Sequence, residues 1–404
     1  MILKIAWKNV WRSRGRSLVV IGSIVVGISA LLFGNGFMNG FMVGYMADAI
    51  NFDISNIQIH NPEYKVDYDI KFPIENGREK ANEIRNWKGV KASTTRTIVN
   101  GMIASSRNAS GIQIRGVDVE NEAKVTKLDS IISEGEYFVG IKRNPIIIGE
   151  KLARNLKVKL RSKVVLTFND GNGDITAAAF RIVGIVKSSN LKINEGYAFV
   201  RQEDLFKILE IGKEVHEIAI LTETEEDENL IISKFNQTYP DDLVETWREI
   251  APELAFMQEM YGSVLYILLA IIMTALAFGI VNTMLMAVLE RMRELGMLMA
   301  IGMSKIRVFI MVMVETIYLS LIGAPIGLFL GYMIVGYYKR TGVDLTNYSE
   351  GLEAFGYASI LYPYLEPSVY WIVTIGVIIT AILGALYPAW KAVKLNPVEA
   401  LHKI

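Results

Sequence analysis

The residues of this 404-residue chain best suited to bind a metal or move a proton are its three histidines, His60, His216 and His402. They are scattered along the chain and fall on both sides of a predicted membrane, so each reads as a solvated or locally hydrogen-bonded side chain and not as a ligand. The stretch "NDGNGD", residues 169–174, offers aspartates that invite a calcium reading. It lacks the later ligands and closing glutamate of an EF-hand loop, and a Gly-rich hairpin turn accounts for it better. No GxxxxGKS/T, HExxH or GxSxG motif occurs, so nothing cradles nucleotide phosphates or joins a nucleophile to a base. Cysteine is absent, which removes disulfides, zinc–thiolate sites and lipidation through cysteine. The 42 basic and 42 acidic residues balance and leave no field to attract nucleic acid. The expectation is a chain that is not itself an enzyme and holds neither a metal nor a cofactor of its own.

Chemistry must then be sought in polar residues placed where they are costly. The stretch "ERMRELGMLMAIGMSKIRVF" opens at Glu290 with two acids and two arginines, yet it sits between two of the most apolar runs in the chain. Glu290, Arg291, Arg293 and Glu294 open a strong helix former, Gly296 and Gly302 punctuate it, and Leu295, Met297, Leu298 and Met299 give it an apolar side. Such a short amphipathic helix either lies on lipid or docks in a groove of a partner protein, and its acids disfavour anionic headgroups. Glu315 lies about two turns into the next apolar run, where an acid needs a partner. A structural ion pair with a basic residue of the N-terminal segment, such as Arg12 or Arg16, is the expected one, and a proton or substrate role is the alternative. Gly36, Gly40 and Gly44 share one helical face, as do Gly323, Gly327 and Gly331, and small residues four apart let helices approach closely in lipid. They predict packing within one subunit, or a dimer seam or sliding surface. Asn35, Asn39 and Asn282 either line a polar seam or merely sit near the membrane interface, and Pro325 should kink its helix.

The elements that hold these residues follow from hydropathy. The runs 18–33, 264–289, 308–335 and 369–386 are nearly free of charge, and each is long enough, alone or with its flanks, to cross a bilayer as a helix. No clean small-x-small cleavage site follows the first, so it is expected to be retained and not removed as a signal peptide. Basic residues flank the spans at Lys4, Lys8, Arg12, Arg14 and Arg16, at Arg291, Arg293, Lys305 and Arg307, and at Lys391, Lys394 and Lys403. The loop after the third span carries Lys339 and Arg340 but also Asp344, Glu350, Glu353 and Glu366. The positive-inside rule therefore predicts cytoplasmic termini and a large outer segment.

The predicted fold class is an α-helical membrane protein with four transmembrane helices plus a large α+β extracytoplasmic domain inserted between helices 1 and 2. The expected order is an amphipathic N-terminal segment (1–17), helix 1 (18–46), a periplasmic domain (47–258), helix 2 (259–289) and a cytoplasmic coupling segment (290–307). Helix 3 (308–337), a short periplasmic loop (338–368), helix 4 (369–388) and a cytoplasmic tail (389–404) follow. In the outer segment "SNIQIH", "SGIQIRGVDV", "SKVVLTF", "AAAFRIVGIV", "GYAFV" and "VHEIAIL" read as strands. "GEKLARNLKV", "RQEDLFKIL" and "DENLIISKFNQ" read as amphipathic helices, and residues 245–289 read as one long helix entering the second span.

The charged stretch resembles the coupling segment of FtsX-like ABC permeases, the group that includes MacB and the Lol permeases. Their pattern E-R-x-R-E-I/L-G, then A-I/L-G, is met by Glu290, Arg291, Arg293, Glu294, Leu295, Gly296, Ala300, Ile301 and Gly302. The start "AWKNVWRSRGRSLVV" is similar through Asn9, Arg12, Arg16 and Ser17, and the end "YPAWKAVKLNPVEAL" through Pro388, Ala389, Ala392, Pro397, Ala400 and Leu401. Ile112, Arg115, Gly116, Gly135, Gly149, Leu152 and Ala153 resemble the outer domain of the Lol branch, although related exporters share much of that pattern. The resemblance implies a mechanotransmission permease in the cell inner membrane that works as a dimer with a second copy or a paralogue. A separate ATP-binding subunit, in two copies and carrying ATP and Mg, would grip residues 290–302. In the lead reading the substrate is a lipoprotein passed to a periplasmic carrier, with acyl chains meeting Phe37, Phe41, Met42, Met257 and Tyr261 at the membrane interface. Interface anchoring is the plain alternative for those five side chains. Export of small hydrophobic molecules or peptides, or signalling to a cell-wall hydrolase, are the alternatives for the whole.

Overall fold

The computed structural model describes residues 2–188, 190–348, 351–352 and 359–394. Glu350, Glu353, Pro397, Ala400, Leu401, His402 and Lys403 lie outside the described residues. The chain divides into two compact units.

The first unit comprises residues 1–42, 258–344 and 360–404. It opens with α1 (Ile2–Arg12), whose Ala6 and Val10 are buried while Leu3, Lys4, Trp7, Lys8 and Trp11 face out. That spacing of four gives an amphipathic helix one apolar stripe, and Trp7 packs edge-on against Tyr318 with ring centroids 5.4 Å apart. Four helices long and apolar enough to cross a membrane include α2 (Arg14–Ala49), α10 (Pro252–Glu290), α12 (Lys305–Thr341) and α13 (Pro367–Val393). Each outruns its apolar core, because the flanking residues are good helix formers that water also accepts. Side chains such as Phe278 and Trp371 stay exposed along these helices, as lipid-facing positions do. Between α10 and α12 lies α11 (Met292–Ala300). α12 runs unbroken through Pro325.

Glycines set the closest approaches. A Cβ on Gly323, Gly327 or Gly331 of α12 would lie 3.0, 3.0 and 2.5 Å from Ile24, Ile28 and Leu32 of α2, respectively. This is helix packing within the chain. On α2 the glycines serve otherwise. Gly36 abuts Val335 and Leu365, and a Cβ on Gly40 would overlap the carbonyl of Tyr362. These two glycines seat an extended strap, residues 360–365, and Gly44 has nothing within 4 Å of a Cβ, so within the chain the three do not pack as one helix seam. The strap begins as β12 (Ile360–Leu361), paired with β11 (Val343–Asp344).

The second unit comprises residues 43–257 and 345–359. Its ten-stranded sheet runs in the order β10-β1-β9-β2-β3-β8-β5-β7-β4, with β6 bridging β2 and β7. Those strands are β1 (Ile57–His60), β2 (Val90–Ala104), β3 (Ala109–Val117), β4 (Ile132–Gly135), β5 (Pro145–Gly149), β6 (Lys163–Asn169), β7 (Ile175–Val186), β8 (Tyr197–Arg201), β9 (Glu217–Thr222) and β10 (Leu243–Thr246). The six anticipated runs are all strands, and the pairs β3–β8 and β5–β7 are parallel. "NDGNGD" is the β6–β7 hairpin turn, where Asp170 Oδ1 accepts from the Asn172 and Asp174 amides at 2.9 and 3.0 Å. The helices α6 (Glu150–Leu156), α7 (Gln202–Leu209) and α8 (Glu225–Thr238) match the three anticipated amphipathic pieces.

The expected long helix is also absent. Residues 245–289 are not one helix: β10 ends at Thr246, α9 (Trp247–Ile250) is one capped turn, and Ala251 is extended at φ −129°, ψ 70°. Thr246 and Glu249 form a capping box that starts the turn, and Pro252 then forbids helical backbone in the residue before it.

Candidate coupling site

The site is built where α10 stops. Arg291, at φ −102°, ψ 15°, interrupts the helix, and α11 then runs for nine residues. Its end is a Schellman turn: Met303 N–H donates to the Leu298 carbonyl at 2.9 Å and Gly302 N–H to Met299 at 3.1 Å, with Gly302 at φ +102°. Gly302 therefore punctuates the segment as expected, whereas Gly296 lies inside α11, buried beside Leu295. Arg293, Met297, Ala300, Ile301 and Gly302 form the exposed side, while Leu298 and Met299 are half-buried.

Ion pairs fix this short helix to its neighbours. Arg12 of α1 reaches Glu294 at 2.8 Å, and Arg16 of α2 pairs with Glu290 while also donating to Ser13 Oγ at 2.6 Å. Arg291 Nη1 donates to both oxygens of Glu315, at 3.1 and 3.3 Å, and Asn9 Nδ2 donates to Glu315 Oε1 at 2.6 Å. The expected partners of Glu315, Arg12 and Arg16, are thus taken by Glu294 and Glu290. The acid in the third span is neutralised by the arginine that opens the coupling segment. The exposed Arg12–Glu294 pair contributes about 0–1 kcal/mol. Arg291 and Glu315 are nearly buried, and stripping either of its partner costs about 3–5 kcal/mol. A crevice of about 20 Å³ beside Asn9, Arg16, Arg291 and Glu315 has room for one water.

The other anticipated residues are placed as follows. Phe37, Phe41, Met42, Met257 and Tyr261 are all half-buried, and Tyr261 O–H donates to the Asn35 carbonyl at 3.3 Å. The more exposed apolar side chains nearby in sequence are Met38, Phe256 and Met260. Among the described residues no three His, Cys, Asp or Glu side chains are grouped to hold a metal ion.

Sequence reading missed a buried charge cluster in the second unit. Arg96 of β2, fully buried, donates to Glu122 of α5 (Val119–Thr126) at 2.8 Å, to Glu217 at 2.5 Å and to the Asp53 carbonyl at 3.0 Å. Arg115 of β3 meets Asp53 at 2.9 Å and lies 3.7 Å over the Tyr197 ring. His60 and His216 are not scattered but adjacent: His60 Nδ1 donates to the His216 carbonyl at 3.1 Å, and Tyr64 stacks with both rings. Burial pushes both imidazoles below their ordinary pKa, so both are neutral. Burial alone would raise Glu217, but the permanent charges of Arg96 and Arg115 outweigh it and hold its carboxyl below the usual range. The one available signal was an arginine amid the β-branched "STTRTIV".

The chain matches two known families. Residues 17–238 match the MacB-like periplasmic core domain and residues 266–397 the FtsX-like permease C-terminal region. The first match alone covers more than half the chain, and the chain belongs to the FtsX/MacB-type permeases of ABC transporters. It is similar to the lipoprotein-releasing system transmembrane protein LolC of Neisseria meningitidis, with 24% identity over 405 residues, 96% of this chain and 94% of that one. An uncharacterized ABC transporter permease of Methanocaldococcus jannaschii is 23% identical over 99% of this chain and 97% of its own. The ABC transporter permease YtrF of Bacillus subtilis is 29% identical over 57% of this chain and 54% of its own. The chain is accordingly a membrane subunit of an ABC transporter, with four membrane-spanning helices and a large α+β domain between the first two.

Proposed function

We propose that this chain is the force-transmitting permease of a lipoprotein-releasing transporter. In this reading residues 1–17 and 290–307 face the cytoplasm and residues 47–258 the periplasm. A separate ATPase, two copies per assembly and supplying ATP and Mg, grips the exposed side of α11. The permease pairs with a second copy or a paralogue, and the outer domain hands the released lipoprotein to a periplasmic carrier.

The observation that carries the reading is the ion-pair lattice around α11. Glu290, Arg291 and Glu294 are all paired with side chains of neighbouring helices, Arg16, Glu315 and Arg12 respectively. A load applied to the exposed Met297 and Ile301 is thereby passed to α1, α2 and α12 together instead of bending one loop. The lipoprotein substrate is supported by the end-to-end likeness to LolC.

The test is reconstitution of the full chain with its ATPase and a triacylated lipoprotein in proteoliposomes. ATP should release the lipoprotein to a soluble carrier. Vigorous ATP hydrolysis with the lipoprotein left in the bilayer would remove the substrate assignment, and transfer of a hydrophobic small molecule instead would favour the exporter.

A further inference from the structure

The outer half of α2 contains a direct tandem repeat, Asn35-Gly36-Phe37-Met38 followed by Asn39-Gly40-Phe41-Met42. Four residues of helix advance one turn and about 6 Å, so each residue of the first copy lies almost directly beneath its counterpart in the second. The strap uses them unequally. Asn39 Nδ2 donates to the Tyr364 carbonyl at 3.0 Å, Gly40 makes room for the Tyr362 carbonyl, and Tyr364 N–H donates to the Gly36 carbonyl at 2.9 Å. Asn35 is 2% exposed, and its Nδ2 has no hydrogen-bond partner among the described residues. An orphan amide donor is costly in a membrane interior, where no water makes good the loss.

The inner half of α2 repeats with the same interval. Val20, Ile24, Ile28 and Leu32 are all buried, and the last three fill the notches at Gly323, Gly327 and Gly331 of α12. The numbering rises together along both helices, so they run parallel, and a displacement of one turn presents Val20, Ile24 and Ile28 to the same three notches.

We infer that α2 is a two-position ratchet, which slides one turn in its own N-to-C direction along α12 and beneath the strap. Asn35 then takes the place of Asn39 under Tyr364, Gly36 that of Gly40 under Tyr362, and the Leu32 carbonyl replaces the Gly36 carbonyl. Packed elements jump by whole turns because intermediate positions lose every notch at once. Leu32 would also arrive where Gly36 now abuts Val335 and Leu365, and these side chains must turn aside. That crowding makes the observed register the resting one. Arg16 rides on α2, so the slide parts it from Glu290 and links register to the load on α11. The inference rests on the permease reading for the force that drives the slide.

The chain has no cysteine, so engineered pairs report without background. Asn39→Cys with Tyr364→Cys, and Asn35→Cys with Tyr364→Cys, are each oxidised in membranes holding the full chain and its ATPase, with and without ATP. The 39/364 pair should crosslink at rest. During turnover it should fall while the 35/364 pair rises about tenfold. If 35/364 never forms while 39/364 does, the ratchet is wrong and the permease reading is untouched. If 35/364 forms but neither pair responds to ATP, the slide stands and the ATP-coupled reading falls. Failure of both pairs removes the resting contact and the ratchet with it. Asn35→Leu, added to the 39/364 pair, should not lower the melting temperature and should abolish the ATP-dependent fall in that crosslink; a fall that persists overturns the proposal.

Discussion

Arg291, the residue between two helices, and Glu315, inside the next span, form one bifurcated contact, with Nη1 3.1 Å from Oε2 and 3.3 Å from Oε1. The coupling segment is therefore anchored by a charge within the third span and not only by the surface arginines before the first.

Replacing Glu315 by Gln should destabilise the chain by about 3–5 kcal/mol, because Arg291 is left buried with its charge unanswered. Adding Arg291→Met should restore most of that loss. Thermal unfolding in detergent decides it, and equal stability of Glu315→Gln and the parent would show that the pair is not structural.

Ile301→Asp is expected to leave stability within about 0.5 kcal/mol, since the residue is 79% exposed. Co-purification of the ATPase should nonetheless drop by about tenfold or more, as one charge in an apolar contact costs at least about 1.4 kcal/mol. Retained co-purification would place the grip elsewhere.

The glycines of α2 should part company. Gly44→Ala meets nothing within 4 Å and should stabilise by about 0.5–1 kcal/mol through helix propensity. Gly40→Ala must push the Tyr362 carbonyl away and should destabilise by about 1–3 kcal/mol. Melting curves of the two variants would give shifts of opposite sign.

His60 and His216 give the outer domain a pH dependence. Their folded pKa values are depressed below the ordinary value of about 6.5, so the unfolded chain binds protons more readily. The stability they provide is complete above about pH 6.5 and is lost as the pH falls towards their folded values. Unfolding followed from pH 8 to 5 should show the decline, and His60→Gln with His216→Gln should flatten it.

The membrane half was legible because its signals are local: apolar length, flanking charge, and a helix stopped by Gly302. The partner of Glu315 was not. Sequence position pointed to Arg12 and Arg16 of the N-terminal segment, and only the folded packing gives those two to Glu294 and Glu290 and leaves Arg291 for Glu315. In the outer domain the six anticipated strands alternate or are continuously apolar, whereas β2 was missed because Ser93, Thr94, Thr95, Arg96 and Thr97 read as surface. They are buried, and apart from the Thr94 hydroxyl their polar side-chain atoms are answered by groups distant in sequence, Glu122, Gln202 and Glu217 among them. The break before Pro252 was written in the sequence, but the apolar run beyond it invited extension of the helix backwards.

Because α11 is closed at Arg291 on one side and at Gly302 on the other, its phase is locked as well as its length. A single residue inserted after Gly296 would swing Met297 and everything following it by about 100° about the axis while sparing Glu290, Arg291 and Glu294. The partner would then meet a helix of unaltered chemistry turned the wrong way, so azimuth, more than composition, is what this nine-residue cassette has to preserve.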